Sequence, residues 1–193
     1  MASMSPRLAV AVLVLGRGLV ACSVGDGVGE AKGTIVAEEC GLDGDFDLDP
    51  DYFAADSFED RLLITVQRGG DYQVKSDGLL FDVPDMERVD EHLGEPLDVR
   101  YDPDATLEEL QEFCRVALYL NETCDKDDPV GLACTVGSVT FTSIGGGDID
   151  EGDRIDAEFA IDFEETSERE AAGHLEGFFR FRYTRGRPAQ RFP

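Results

Sequence analysis

Two stretches near the C-terminus alternate apolar and polar side chains with a period of two. In the first, Ile155, Ala157, Phe159, Ile161 and Phe163 share one face. In the second, Leu175, Gly177, Phe179, Phe181 and Tyr183 do the same. Such alternation puts one face of a strand in a core and the other in water. Pairing the runs as antiparallel neighbours about a polar turn near Arg169, with Ala160 opposite Phe178, sets Glu158 against Arg180 and Asp156 against Arg182. Opposite charges in such positions contribute about 0.2 to 1 kcal/mol each.

Shorter β-prone runs precede them. Thr34–Ala37, Arg61–Val66, Tyr72–Val74, Leu79–Val83, Leu97–Tyr101, Arg115–Leu120 and Ala133–Thr142 read as strands, and Arg68-Gly69-Gly70-Asp71 reads as a hairpin turn. Residues 84–96 are polar and broken by Pro84, Gly94 and Pro96, so they read as a loop with one helical turn. Residues 42–56 read as an aspartate-rich loop. Thr106 followed by Glu109 has the form of a capping box, with Leu107, Leu110 and Phe113 on one face, which predicts a short helix. About eight short strands with one short helix give an all-β fold, an antiparallel β-sandwich.

The N-terminus has a different character. Arg7, the apolar run Leu8–Leu15 and the small residue Ala21 supply the parts of a secretory signal. The run is shorter than the roughly 20 residues a membrane span needs. The box Leu19-Val20-Ala21-Cys22 resembles that of bacterial lipoprotein precursors. The resemblance implies cleavage before Cys22, a diacylglyceryl group on its thiol and acylation of the new amino terminus. Ser23 after the cysteine implies sorting to the outer membrane. Residues 1–21 are thus expected to be a signal peptide, 22–33 a glycine-rich flexible tether, and 34–193 one sandwich domain. Several acyl chains hold a protein at a bilayer where one does so only marginally.

With Cys22 assigned to lipid, Cys40, Cys114, Cys124 and Cys134 remain. An even count in an exported chain reads as disulfides, and four cysteines permit three pairings. Folding Arg115–Leu120 back onto Ala133–Thr142 sets Cys124 opposite Cys134. The expected bonds are therefore Cys124–Cys134 and Cys40–Cys114.

Charge narrows the partners. The chain has 42 acidic and 17 basic residues, a net of −25, and loss of Arg7 and Arg17 with the signal makes it −27. Such a field opposes nucleic acid and anionic lipid surfaces, so no nucleic-acid partner is expected and lipid is the expected anchor. Residues 177–193 run against this trend, with five arginines and no acid. Arg185, Arg187 and Arg191 either fold back over the acidic surface or form a partner-binding arm.

Candidate chemistry is sparse. Asp43, Asp45, Asp47, Asp49 and Asp51 line one side of an extended segment, and a calcium ion, which takes 6 to 8 oxygens at about 2.3 to 2.6 Å, would relieve their repulsion. The segment departs from an EF-hand at Leu48 and Ala54, where glycine and glutamate belong. Asp148, Asp150, Glu151 and Asp153 after Gly145-Gly146-Gly147 form a second acidic cluster. Gly137-Ser138-Val139-Thr140 does not complete a nucleophile elbow, and the glycines at 145–147 fit no nucleotide-binding form. His92 and His174 read as surface residues. With no Trp for sugar stacking, an enzyme is not expected. The sequence therefore predicts a lipid-anchored envelope protein that binds or supports an envelope partner. A calcium-dependent adhesion protein using Asp43, Asp45, Asp47 and Asp49 is the alternative, and an uncharacterised hydrolase comes third.

Overall fold

The computed structural model describes residues 27–69, 76–106, 108–124, 131–146, 149–163 and 171–184. They form eleven strands: β1 Gly27–Ala37, β2 Leu42–Leu48, β3 Tyr52–Phe58, β4 Arg61–Gln67, β5 Asp77–Val83, β6 Pro96–Arg100, β7 Arg115–Leu120, β8 Gly131–Ala133, β9 Val136–Ser143, β10 Arg154–Phe163 and β11 Ala171–Arg182. One sheet has the order β2-β1-β11-β10-β9-β6 and the other β3-β4-β5-β7-β8, and all strand pairs are antiparallel. This is the expected all-β sandwich, with more strands than the sequence resolved. Among the described residues the single α-helix, α1, is Met86–Glu91, inside the segment read as a loop with one helical turn. Asp85 caps it by accepting from the Arg88 amide at 2.9 Å. The capping box at Thr106 is made, with the Thr106 amide donating to Glu109 Oε2 at 2.8 Å, yet it opens only a 3₁₀ turn over Glu109–Gln111 rather than the predicted helix.

The period-two runs bury the faces they predicted. Ile155, Ala157, Phe159, Ile161, Leu175, Phe179 and Phe181 are all buried. From the opposite sheet, Phe81 of β5 enters between Phe159 and Phe179, with ring centroids at 5.2 and 5.0 Å. Offset, tilted rings at this spacing are the favourable arrangement of aromatic quadrupoles.

The register differs from the expectation. Asp156 faces Arg180, Glu158 faces Phe178 and Arg154 faces Arg182, a slip of two residues that keeps every apolar side chain on its predicted face. Face is fixed by burial, which a two-residue slip leaves unchanged, so pattern alone cannot choose between the registers.

The glycine-rich segment before Thr34 is a second correction. Gly27–Gly33 are not tether but the first seven residues of β1, paired with β11 from Gly27 opposite Phe181 to Ala37 opposite Ala171. Their glycines serve close approach. A Cβ on Gly33 would lie 1.9 Å from the His174 carbonyl oxygen, and one on Gly177 would lie 2.1 Å from that of Glu30. Residues 42–56 are likewise not a loop: they hold β2, an edge of the larger sheet, and most of β3, an edge of the other. The predicted strand Tyr72–Val74 lies outside the described residues, and β4 pairs directly with β5, Leu62 opposite Val83. The predicted strand Ala133–Thr142 is divided: β8 stays beside β7, while β9 crosses to the other sheet between β10 and β6.

On the outer face of the second sheet, buried Asp82 receives Arg61 Nε at 2.6 Å and Nη2 at 2.7 Å, and Arg115 Nη2 joins the same carboxylate. This ties β4, β5 and β7 together by charge-assisted hydrogen bonds. Replacing Phe81 by Ala is expected to lower unfolding free energy by about 3 to 5 kcal/mol. Urea denaturation followed by far-ultraviolet circular dichroism measures it.

Candidate functional site

The carboxylates proposed as metal ligands lie on an edge strand. Phe46 and Leu48 of β2 are buried, while Asp43, Asp45 and Asp47 alternate with the inward positions and are exposed, followed by exposed Asp49. Neighbours on one face of a strand stand two residues apart, roughly 6.6 to 6.8 Å. Short aspartate side chains at that spacing do not converge on one ion whose ligands sit about 2.3 to 2.6 Å away. Among the described residues no three His, Cys, Asp or Glu side chains are grouped as a metal site.

The acids have neighbours of their own. Asp47 lies opposite Lys32 of β1, and Glu30, with Asp47 and Asp49 farther off, holds the Lys32 ammonium above its ordinary value. Asp51 Oδ1 accepts from the Gly69 amide at 2.6 Å and so fastens the β2–β3 turn to the end of β4. In the second cluster, Asp153 Oδ2 accepts from the Asp150 amide at 2.8 Å while the Asp153 amide donates to the Asp150 carbonyl, which closes a turn. Asp148 lies outside the described residues.

The two histidines are far apart in the fold. His92 follows α1, with Nδ1 2.8 Å from the Arg88 carbonyl oxygen, beside a small depression of about 130 Å³. His174 pairs with Asp162 at 2.7 Å across β11 and β10, with about half of each side chain open to solvent. Thr34 sits opposite His174 on β1. The row lies on the open face of a sheet, where water competes for every polar contact.

The cysteines pair differently from the expectation. Cys40 bonds Cys124, across 84 residues of sequence, whereas Cys114 and Cys134 are free and buried. Cys124–Cys134 fails because β8 meets β7 with Ala133 opposite Ala117. That register sets Cys134 beside Val116, to whose carbonyl its amide donates at 2.8 Å. Cys40–Cys114 fails because Cys114 is held at the start of β7, its amide donating to the Asp98 carbonyl. The bond that forms joins the 3₁₀ turn after β1 to the turn after β7, and so links the two sheets. Closing a loop of this length removes about 4.5 kcal/mol of denatured-state entropy in the chain-entropy account. Burial, and then the nearby Asp82 carboxylate, push the Cys114 thiol far up. Burial pushes Cys134 up to about 12. Neither thiol has the thiolate character that nucleophilic chemistry requires.

One cluster was not anticipated. At the end of the larger sheet where β1 begins, Gly27, Val28, Arg154, Arg180, Phe181 and Arg182 line an open groove of about 520 Å³. Asp156 Oδ2 accepts from Arg154 Nη2 at 2.8 Å and from Arg180 Nε at 2.9 Å, while Arg182 Nη1 donates to the Gly152 carbonyl at 2.8 Å. The expected pairs Glu158–Arg180 and Asp156–Arg182 are replaced by this set. Sequence reading found the basic C-terminal bias but not Arg154, whose partnership depends on the register. Arg185, Arg187 and Arg191 lie outside the described residues.

Two outcomes follow for solution work. In the native chain, alkylation should spare Cys114 and Cys134. Unfolding without reductant should expose those two, and adding reductant should expose Cys40 and Cys124 as well, all read by intact mass. Millimolar calcium should shift the melting temperature by less than about a degree, since only native-state binding raises stability; a larger rise would point to a site the β2 carboxylates do not form. Comparison of the chain with protein families, with curated proteins and with solved structures finds no match.

Proposed function

We propose that the protein is a lipid-anchored component of a bacterial cell envelope, held at the outer membrane through Cys22 and acting as a non-enzymatic binding or structural module. The observation that carries this reading is the box Leu19-Val20-Ala21-Cys22 closing an apolar run. The fold supports it in two ways. The first described strand begins at Gly27, five residues after Cys22, so an anchor there precedes the sandwich without removing any part of it. The Cys40–Cys124 bond suits an oxidising compartment, where disulfides persist.

A rigid two-sheet body with polar, mostly acidic outer faces presents turns and sheet faces to an envelope partner, and the acidity keeps such a body soluble above its membrane. The lipid, through several buried acyl chains, supplies the attachment that this charge opposes.

The test is the intact mass of the protein extracted from membranes of a lipoprotein-processing host. The expected mass is that of residues 22–193 plus acyl chains, with the Cys40–Cys124 bond intact. A Cys22→Ala chain should keep its signal and carry no lipid. An unacylated wild-type chain, or one cut elsewhere, overturns the reading.

A further inference from the structure

Asp77 begins the inward row of β5 that continues with Leu79, Phe81 and Val83, and like them it is completely buried. A carboxylate withdrawn from water is destabilising unless its oxygens find donors. Among the described residues its donors come from one turn. Oδ1 accepts from the Glu122 amide at 2.9 Å and the Thr123 amide at 3.0 Å, and Oδ2 accepts from the Thr123 hydroxyl at 2.5 Å. These are the two residues before Cys124, whose own amide donates to the Leu120 carbonyl at 2.8 Å. Leu120 lies opposite Asp77 in the last pair of the β5–β7 ladder, and the Asp77 carbonyl accepts from the Arg68 amide at the end of β4. The turn that carries Cys124 is therefore seated on a group fixed between β4 and β7.

Chain statistics give that seat a task. Cys114 and Cys134 each stand ten residues from Cys124, whereas Cys40 stands 84 away. The chance of closing a flexible loop falls as about the 3/2 power of its length, so in an unstructured chain either near cysteine meets Cys124 roughly twentyfold more often than Cys40 does. The bond that forms is nevertheless Cys40–Cys124. Charge-assisted hydrogen bonds from one carboxylate to consecutive amides fix a backbone direction as well as a place. Here they fix the two peptides that lead directly into the bonded cysteine.

We propose that Asp77 is the positioning residue for the disulfide: its carboxylate presents Cys124 to Cys40 and so selects this pairing over the two sequence-local ones. Formation of the bond converts two protein thiols and one donor disulfide into the protein disulfide and two donor thiols, through a mixed disulfide. Asp77 takes no part in that exchange. It orders the turn once β5 and β7 are paired, which ties the cross-link between the sheets to the assembly of the smaller one. The inference stands apart from the lipid anchor.

Residues 22–193 with Cys22→Ala contain every described strand. This chain is reduced, refolded to equilibrium in reduced and oxidised glutathione, and trapped with acid, and its disulfides are mapped by peptide mass. The quantity read is the ratio of Cys124 bonded to Cys40 against Cys124 bonded to Cys114 or Cys134, with folding checked by circular dichroism. Asp77→Ala should lower that ratio at least about fivefold. Asp77→Asn, which still accepts from both amides and can donate to the Thr123 hydroxyl, should restore at least half of it. Leu79→Ala, two residues along the same buried row, removes packing without touching the turn and should leave the ratio within about twofold. Thr123→Val removes only the hydroxyl bond and should lower the ratio about twofold. An unchanged ratio in folded Asp77→Ala overturns the proposal, as do equal falls in Asp77→Ala and Leu79→Ala, which lost stability alone would produce. If Asp77→Ala does not fold, Thr123→Val decides, and an unchanged ratio there overturns the proposal.

Discussion

The insertion of Phe81 between Phe159 and Phe179 is the contact on which the sandwich depends. A sheet with one apolar face must bury it, and two such sheets meet only where their side chains interdigitate. Phe81, Phe141 and Phe179 are all within 1% of full burial. They belong to β5, β9 and β11, so each sheet contributes to one continuous aromatic contact. The neighbouring strands pack Ile64, Leu79, Leu118, Ile155 and Ile161 around it, also fully buried. Loss of this layer would leave two polar-faced sheets with little reason to associate.

The second constraint is the union of the first and last described strands. β11 lies between β1 and β10, so the larger sheet closes only when residues from both ends of the chain are present. The backbones of β1 and β11 come close at glycines, and the Cys40–Cys124 bond leaves from the end of the same β1 to reach the other sheet. Long-range pairings of this kind are slow to form because loop closure comes before the contacts that offset it. The disulfide lowers that entropic cost by narrowing the unfolded ensemble.

Charge is arranged by the sheets rather than spread evenly. Edge strand β2 carries Asp43, Asp45 and Asp47 outward, a row of like charges that discourages another strand from adding there. The buried Asp82 and Asp156 each gather two arginines, one on each sheet, and so convert carboxylates into cross-strand ties. The arginine groove is the by-product of one of those ties, at the end of the larger sheet where β1 begins.

Sequence alone determined the all-β class, the inward faces of β10 and β11, the capping at Thr106 and the lipoprotein-like start. Each depends on residues adjacent in the chain or repeated at a fixed local period. What it could not determine was register, partner and boundary. A two-residue slip preserves both faces, so Asp156 joins Arg180 instead of Arg182. The glycines of 27–33 have the composition of a tether, and only their pairing with β11, Gly27 opposite Phe181 through Gly33 opposite Leu175, makes them strand. Cys40 and Cys124 lie 84 residues apart. Their meeting, like the convergence of Arg154 with Arg180 and Arg182, depends on which strands become neighbours, and that is settled by the packing of the whole core.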